Sequence, residues 1–224
     1  MKTLGLIHTS ATLVPVFQEL CSKYLPGIKT FNIVDDSLIK NVITCGELTP
    51  ATAERVISYV GSAEKAGADY ILVTCSSIGA AVEAAAALTD IPVLRVDQPM
   101  ADEAVRAGKK IGVLATLPTT LAPTTDLVRR RAIVAGKEII LTSRLCEGAF
   151  DALMNGDPET HDKIVADALK ELSVNVDVIV LAQASMARVV STLTDSDKKV
   201  PILSSPLIAI QYLASILITE SQDH

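Results

Sequence analysis

The sequence predicts an α/β fold of two similar lobes. Each is a short parallel sheet flanked by helices, and a pseudo-twofold axis relates them across a cleft. Three observations carry this prediction. Apolar, β-favouring runs alternate with helical spacings along the chain, the pattern of parallel strands joined by right-handed crossovers. One run, residues 70–74, is mostly apolar and β-favouring, as expected of a strand buried on both faces. The second half then restarts the first. Ile111-Gly112-Val113-Leu114-Ala115-Thr116 matches Leu4-Gly5-Leu6-Ile7-His8-Thr9 at a shift of 107, and Asp177-Val178-Ile179-Val180-Leu181 matches Asp69-Tyr70-Ile71-Leu72-Val73 at 108. Val200-Pro201-Ile202-Leu203 matches Ile91-Pro92-Val93-Leu94 at 109.

The elements follow in order. Residues 3–8 form the first strand, and the apolar stretch there is too short for a signal peptide. Residues 9–12 are a loop or helix start, and residues 14–25 have helical spacing broken by Pro26-Gly27. Residues 29–34 are a second strand ending at Asp35-Asp36-Ser37. Thr49 caps a helix whose first position is Pro50, and the helix runs to about residue 66, stopping at Gly67. The strand of residues 70–74 comes next, then an alanine-rich helix over 80–88 and a strand over 91–94. The first lobe is expected to comprise residues 1–97 plus a C-terminal helix at about 207–224. The second comprises 98–206, with the switch near 97–110.

Composition narrows the function classes. With 224 residues, 49% hydrophobic but only 3% aromatic and without tryptophan, the core must be aliphatic, which suits helix-covered parallel sheets. No uncharged apolar run approaches the roughly 18 residues of a membrane helix. The four cysteines (Cys21, Cys45, Cys75, Cys146) show no paired spacing, so neither disulfides nor a zinc site is suggested. A cytoplasmic protein is expected. The net charge is −6 and the largest basic cluster is Arg129-Arg130-Arg131, assigned to a solvated helix face, which argues against nucleic acid.

Chemistry concentrates after residues 70–74, in Cys75-Ser76-Ser77-Ile78-Gly79. A strand that stops and turns into a helix leaves unpaired N–H groups beside the positive end of the helix dipole. A thiolate at Cys75 is expected to be stabilised there, with Ser76 and Ser77 adding donors for an anionic substrate group. Many cysteines merely fill space; the carboxyl end of a parallel strand, where open α/β sheets place ligands, favours chemistry. The repeat pairs Cys75 with Gln183, Ser77 with Ser185, Thr9 with Thr116 and Thr12 with Thr119.

The doubled lobes, the Val73-Thr74-Cys75-Ser76-Ser77 turn and the Gly112-Val113-Leu114-Ala115-Thr116 strand resemble the aspartate/glutamate/hydantoin racemase superfamily, which includes maleate isomerases and arylmalonate decarboxylases. The resemblance covers nearly the whole chain. It implies two cysteines facing one another across the cleft, one removing the proton next to a carboxylate and the other delivering one. It implies no metal and no cofactor, a small carboxylate, dicarboxylate or hydantoin-like substrate, and a homo-oligomer, dimer or higher. The first cysteine is present as Cys75, whereas Gln183 stands near the place of the second, and an amide neither gives nor takes a proton usefully at neutral pH. Cys146 aligns near Asp35, on a different loop. The decarboxylases resembled also work with one cysteine, but in the second lobe.

The leading expectation is thus a cofactor-independent isomerase acting alpha to a carboxylate or carbonyl through Cys75. Thr9, Ser10, Ser76, Ser77, Thr116, Thr119 and Ser185 would cradle the anion, and Gln183 would orient the substrate. Thr9, Ser10 and Ser185 have helix capping as the competing role. A one-cysteine decarboxylase or lyase is the alternative within the fold; a non-catalytic carboxylate binder is the alternative outside enzymes. His8 is placed at the cleft mouth, His161 at an exposed helix start, Asp36 and Glu147 on similar loops, and Met100 and Met186 in core or cleft lining.

Overall fold

The computed structural model describes residues 2–194 and 197–218. The chain forms two compact units: one runs to Gln98 and resumes at Pro206, and the other is Pro99–Ser205. In chain order the first unit contains β1 (Thr3–His8), α1 (Leu13–Tyr24), β2 (Lys29–Val34), α2 (Ser37–Cys45), α3 (Pro50–Lys65), β3 (Tyr70–Val73), a 3-10 turn at Ser76–Ile78, α4 (Gly79–Ala86) and β4 (Val93–Arg95). The second contains α5 (Gln98–Ala107, from Pro99), β5 (Lys110–Ala115), α6 (Pro118–Val134), β6 (Ile140–Leu145), α7 (Ala149–Met154), α8 (Pro158–Leu172), β7 (Val178–Leu181), a 3-10 turn at Ala184–Met186, α9 (Ala187–Thr192) and β8 (Ile202–Ser204). A final helix, α10 (Ser205–Leu217), packs in the first unit.

Each unit has one four-stranded parallel sheet, ordered β2-β1-β3-β4 in the first and β6-β5-β7-β8 in the second. The alternation of the first sheet explains its two cores. Ile7, Ile71 and Val73 point to the side covered by α2, α3 and α4, whereas Leu4, Leu6 and Leu72 face Phe17 and Cys21 of α1 and Ala209, Ile210 and Leu213 of α10. Residues 219–224 of the C-terminal helix expected from sequence lie outside the described residues. Among the described residues no helix is long and apolar enough to cross a membrane.

The repeat extends to details beyond the three matched strands. Thr49 accepts the Thr52 N–H at one helix start and Asp157 accepts the Thr160 N–H at the other, each followed by proline at the first helical position. Asp69 accepts the N–H of Thr3 at the foot of β1, and Asp177 those of Lys109 and Lys110 at the foot of β5. Glycine recurs in both strands where neighbouring side chains crowd the backbone: a Cβ at Gly5 would stand 3.1 Å from the Phe31 ring of β2 and 3.4 Å from Ala63 of α3, and one at Gly112 would stand 2.7 Å from Leu172 Cδ2 of α8.

Three sequence expectations need correction here. The chain does not merely leave β2 at Asp35-Asp36-Ser37, for α2 begins at Ser37. Leu38 and Val42, four residues apart, are buried against the core, while the β-branched Ile39, Val42, Ile43 and Thr44 conceal the helical signal. His161 is fully buried in α8, not exposed. Arg131 is not a solvated member of its triplet: its guanidinium grips Asp102 of α5 with Nε at 2.5 Å and Nη2 at 3.1 Å.

Candidate active site

Two turns of like backbone close β3 and β7, one in each unit. Cys75 has φ −137° and ψ 121°, Gln183 has φ −133° and ψ 138°, and each leads into a three-residue 3-10 turn and a helix. The preceding residues repeat too: Thr74 N–H donates to Ile7 O at 3.0 Å, and Ala182 N–H donates to Leu114 O at 2.9 Å. Cys75 and Gln183 therefore occupy equivalent positions at the carboxyl ends of their sheets.

In the first unit Thr9, Ser76 and Ser77 are buried around the partly buried Cys75. Burial pushes the Cys75 thiol above its ordinary value. The Thr9 hydroxyl, the N–H groups of Ser77 and Ile78, and the Ser77 hydroxyl oppose that shift as donors to the sulfur, without overcoming it. This corrects the expected stabilised thiolate. The turn is a single 3-10 stretch and α4 begins only at Gly79, so no full helix terminus abuts the sulfur. Ser10 is engaged locally: its hydroxyl lies 2.7 Å from Thr12 Oγ1 and its carbonyl accepts the Leu13 N–H, as a residue opening α1 does.

In the second unit Gln183 and Thr116 are locked together. The Thr116 N–H donates to Gln183 Oε1 at 2.6 Å, and Gln183 Nε2 donates to Thr116 Oγ1 at 2.8 Å. Thr119 sits in the first turn of α6 with its Oγ1 buried and without a partner among the described residues. Ser185 is exposed on the 3-10 turn. The structure thus gathers Thr9, Cys75 and Ser77 in one unit and Thr116 with Gln183 in the other, while the Ser10 hydroxyl bonds within its own loop and Ser185 is exposed.

The other candidates have different surroundings. His8 is fully buried rather than at an opening: its Nε2 lies 2.9 Å from Asn32 Oδ1, its Nδ1 lies 2.9 Å from the Thr74 hydroxyl, which donates to Ile7 O at 3.2 Å, and Phe17 lies across the ring at 5.6 Å. Burial pushes its pKa down, outweighing the bond to Asn32 and keeping the ring neutral. Cys146 is buried beside Ala115 O, to which its N–H donates at 2.8 Å, and burial pushes its thiol up to about 11. Asp36 is exposed and pairs with Lys40. Met100 and Met186 are both buried. Among the described residues no group of three His, Cys, Asp or Glu side chains could hold a metal ion.

Sequence reasoning missed a buried charge cluster near the thiol turn. Arg95, at the end of β4, donates to Asp97 through Nε at 2.9 Å and Nη2 at 2.8 Å, and to Glu83 through Nη1 at 2.5 Å. A cation two residues before an anion in the apolar run Val93-Leu94-Arg95-Val96-Asp97 was the available signal.

Residues 4–213 match the family described as Asp/Glu/Hydantoin racemase. The chain belongs to that family. No curated protein sequence matches it. Solved structures show that the fold is shared by racemases. Glutamate racemase isoform RacE1 from Bacillus anthracis is 21% identical with a TM-score of 0.73, over 98% of this chain and 82% of its own. Allantoin racemase from Klebsiella pneumoniae is 15% identical with a TM-score of 0.68, over 98% of this chain and 89% of its own. The aspartate racemase of Picrophilus torridus is 13% identical with a TM-score of 0.71, over 99% of this chain and 95% of its own. As an Asp/Glu/hydantoin racemase family member, the chain has support for a racemase- or isomerase-type activity.

Proposed function

We propose that this chain is a cofactor-independent isomerase that acts alpha to a carboxylate or carbonyl of a small amino-acid-like or dicarboxylic substrate, with Cys75 as its single working thiol. Family membership supports the reaction type. The single-thiol reading rests on one observation: of two equivalent turns, one carries a thiol among donors and the other an amide already bonded at both ends. In this reading the Cys75 thiolate takes the α-proton, the C–H electron pair moves into the adjacent carboxyl or carbonyl as an enolate, a water protonates the opposite face, and the hydroxide left behind takes the proton from the Cys75 thiol to restore the thiolate. Thr9, Ser76 and Ser77 hold the substrate anion and steady the developing charge. The unpartnered Thr119 hydroxyl favours a polar group at the start of α6, with Thr116 beside it.

A second reading draws on the raised Cys75 pKa, because a resting thiol is ready to donate. In a decarboxylase the bond to the departing CO2 breaks and its electrons stay on the α-carbon. The Cys75 S–H then protonates that carbon, and water restores the thiol.

Turnover of a panel of amino acids, dicarboxylates, malonates and hydantoins in heavy water tests both. The proposal expects deuterium uptake at the α-carbon with inversion, falling by about 10²–10⁴-fold in Cys75→Ala. CO2 release that depends on Cys75 replaces it with the decarboxylase. Wild-type turnover in Cys75→Ala removes the thiol from the mechanism, and binding without exchange or CO2 across the panel indicates a non-catalytic binder.

A further inference from the structure

The internal repeat provides its own control for the buried charge cluster. Val73 pairs with Arg95 in the first sheet, and in the second its counterpart Leu181 pairs with Ser204. The position of Arg95 is thus filled by serine in the unit that carries Gln183. At a shift of 108, Gly79 and Glu83 correspond to Ala187 and Ser191, and at 109 Asp97 corresponds to Pro206. None of the four cluster residues recurs, although strands, caps and turns do. The cluster accompanies the thiol.

Its geometry suggests why. Arg95 is 3% exposed and Asp97 fully buried, so the guanidinium cannot swing to solvent without leaving a buried carboxylate unpaired. Two parallel bonds to Asp97 and one to Glu83 fix its plane. A Cβ at Gly79 would run into that plane, against Cζ, Nη2 and Nε. Gly79 is the first residue of α4 and directly follows the turn Ser76–Ile78, in which the N–H groups of Ser77 and Ile78 reach the sulfur of Cys75. Glu83 lies one turn further along α4, so the cluster ties that helix to β4 by both its start and its side. Buried ion pairs add little net stability over apolar packing of the same volume, which turns attention to what this one holds in place.

We propose that Arg95 is a positioning residue for Cys75: locked by Asp97 and Glu83, its guanidinium seats against Gly79 and sets the turn that aims the Ser77 and Ile78 N–H groups at the thiol. In the second unit, the Gln183–Thr116 pair fixes the equivalent turn without a charge. The inference builds on Cys75 as the working thiol, but its test does not use turnover.

The test is the rate of iodoacetamide alkylation of Cys75 against pH, read from the mass of its peptide in the intact protein. The variants are Gly79→Ala, Arg95→Lys and, as the control at the equivalent place, Ala187→Gly. Lysine keeps the charge but cannot fork to Asp97. Gly79→Ala and Arg95→Lys should each raise the midpoint by about half a pH unit or more, roughly threefold less thiolate below it, while Ala187→Gly leaves it in place. Slow labelling of the buried Cys21 and Cys146 in every variant reports an intact core. If both variants keep the wild-type profile, whether or not their Tm falls, the cluster is structural and the proposal is overturned. Should Cys75→Ala retain full turnover while the midpoints move, the functional reading fails and the positioning of the thiol stands.

Discussion

Gln183 holds Thr116 by both ends of its amide, taking the backbone N–H on Oε1 at 2.6 Å and giving its Nε2–H to the hydroxyl at 2.8 Å. The equivalent pair in the first unit is Cys75 and Thr9, joined by a hydroxyl-to-sulfur contact. One repeat thus solves the same turn twice, with a self-contained amide and with an ionisable thiol. The first prediction concerns the amide. Gln183→Ala leaves the Thr116 N–H without its acceptor and should cost about 1–3 kcal/mol in urea unfolding, whereas Thr116→Val removes one neutral bond and should cost about 0.5–1.5 kcal/mol. Equal costs would show that the N–H finds another acceptor.

The thiol has a definite pH behaviour. Because burial raises its pKa, Cys75 is mostly protonated at neutral pH and its alkylation should climb with pH past the ~8.5 of a free thiol. Thr9→Val deletes a hydroxyl that favours the thiolate and should shift that climb to still higher pH. A midpoint below that of free cysteine in the wild-type protein would contradict the assignment.

The paired glycines give an internal comparison of packing. Gly112→Ala places a Cβ 2.7 Å from Leu172 Cδ2, closer than the 3.1 Å that Gly5→Ala leaves to Phe31. Both variants should be destabilised, Gly112→Ala within about 1–3 kcal/mol and Gly5→Ala by less, as read from denaturation midpoints. The reverse order would mean that Leu172 yields more easily than the Phe31 ring.

Acid should distinguish the carboxylate at the foot of β5. The N–H groups of Lys110 and Lys109 hold Asp177 below the usual carboxylate range. Its folded pKa is lower than its unfolded pKa, so its stabilising effect is present above about pH 4 and fades as pH falls through the folded value. The Tm gap between wild type and Asp177→Ala should be widest near neutrality and close in acid. A gap constant from pH 7 to pH 2 would mean that the effect does not depend on the charge.

The strands were readable where sequence and burial agree. Residues 3–8 and 29–34 are β1 and β2, and Thr49 and Pro50 open α3 as their chemistry requires. The repeat was readable because a strand buried on both faces has few apolar choices, so Ile111-Gly112-Val113-Leu114 and Leu4-Gly5-Leu6-Ile7 stay similar. What escaped lay where tertiary contacts override local pattern. The edge strand β6 repeats β2, but Thr142, Ser143 and Arg144 face solvent and hide its period. The helix α2 is rich in β-branched residues and is held by Leu38 and Val42 on the core. His161 reads as polar yet is fully buried, its Nδ1 2.6 Å from Asp162 Oδ1. At the site, position and residue type marked Cys75 and Gln183. The sign of the Cys75 shift was beyond reach, since donors argue one way and burial, invisible in one dimension, argues the other.

The return of α10 to the first unit has a consequence for synthesis. Ala209, Ile210 and Leu213 complete the layer that covers Leu4, Leu6 and Leu72, yet a ribosome makes them only after the whole of the second unit. Residues 99–205 are contiguous and can close as soon as they emerge, while the unit begun first waits with one face of its sheet covered by α1 alone. The half bearing the thiol is therefore the last to finish, and a nascent chain halted before residue 206 should expose that aliphatic face to chaperones.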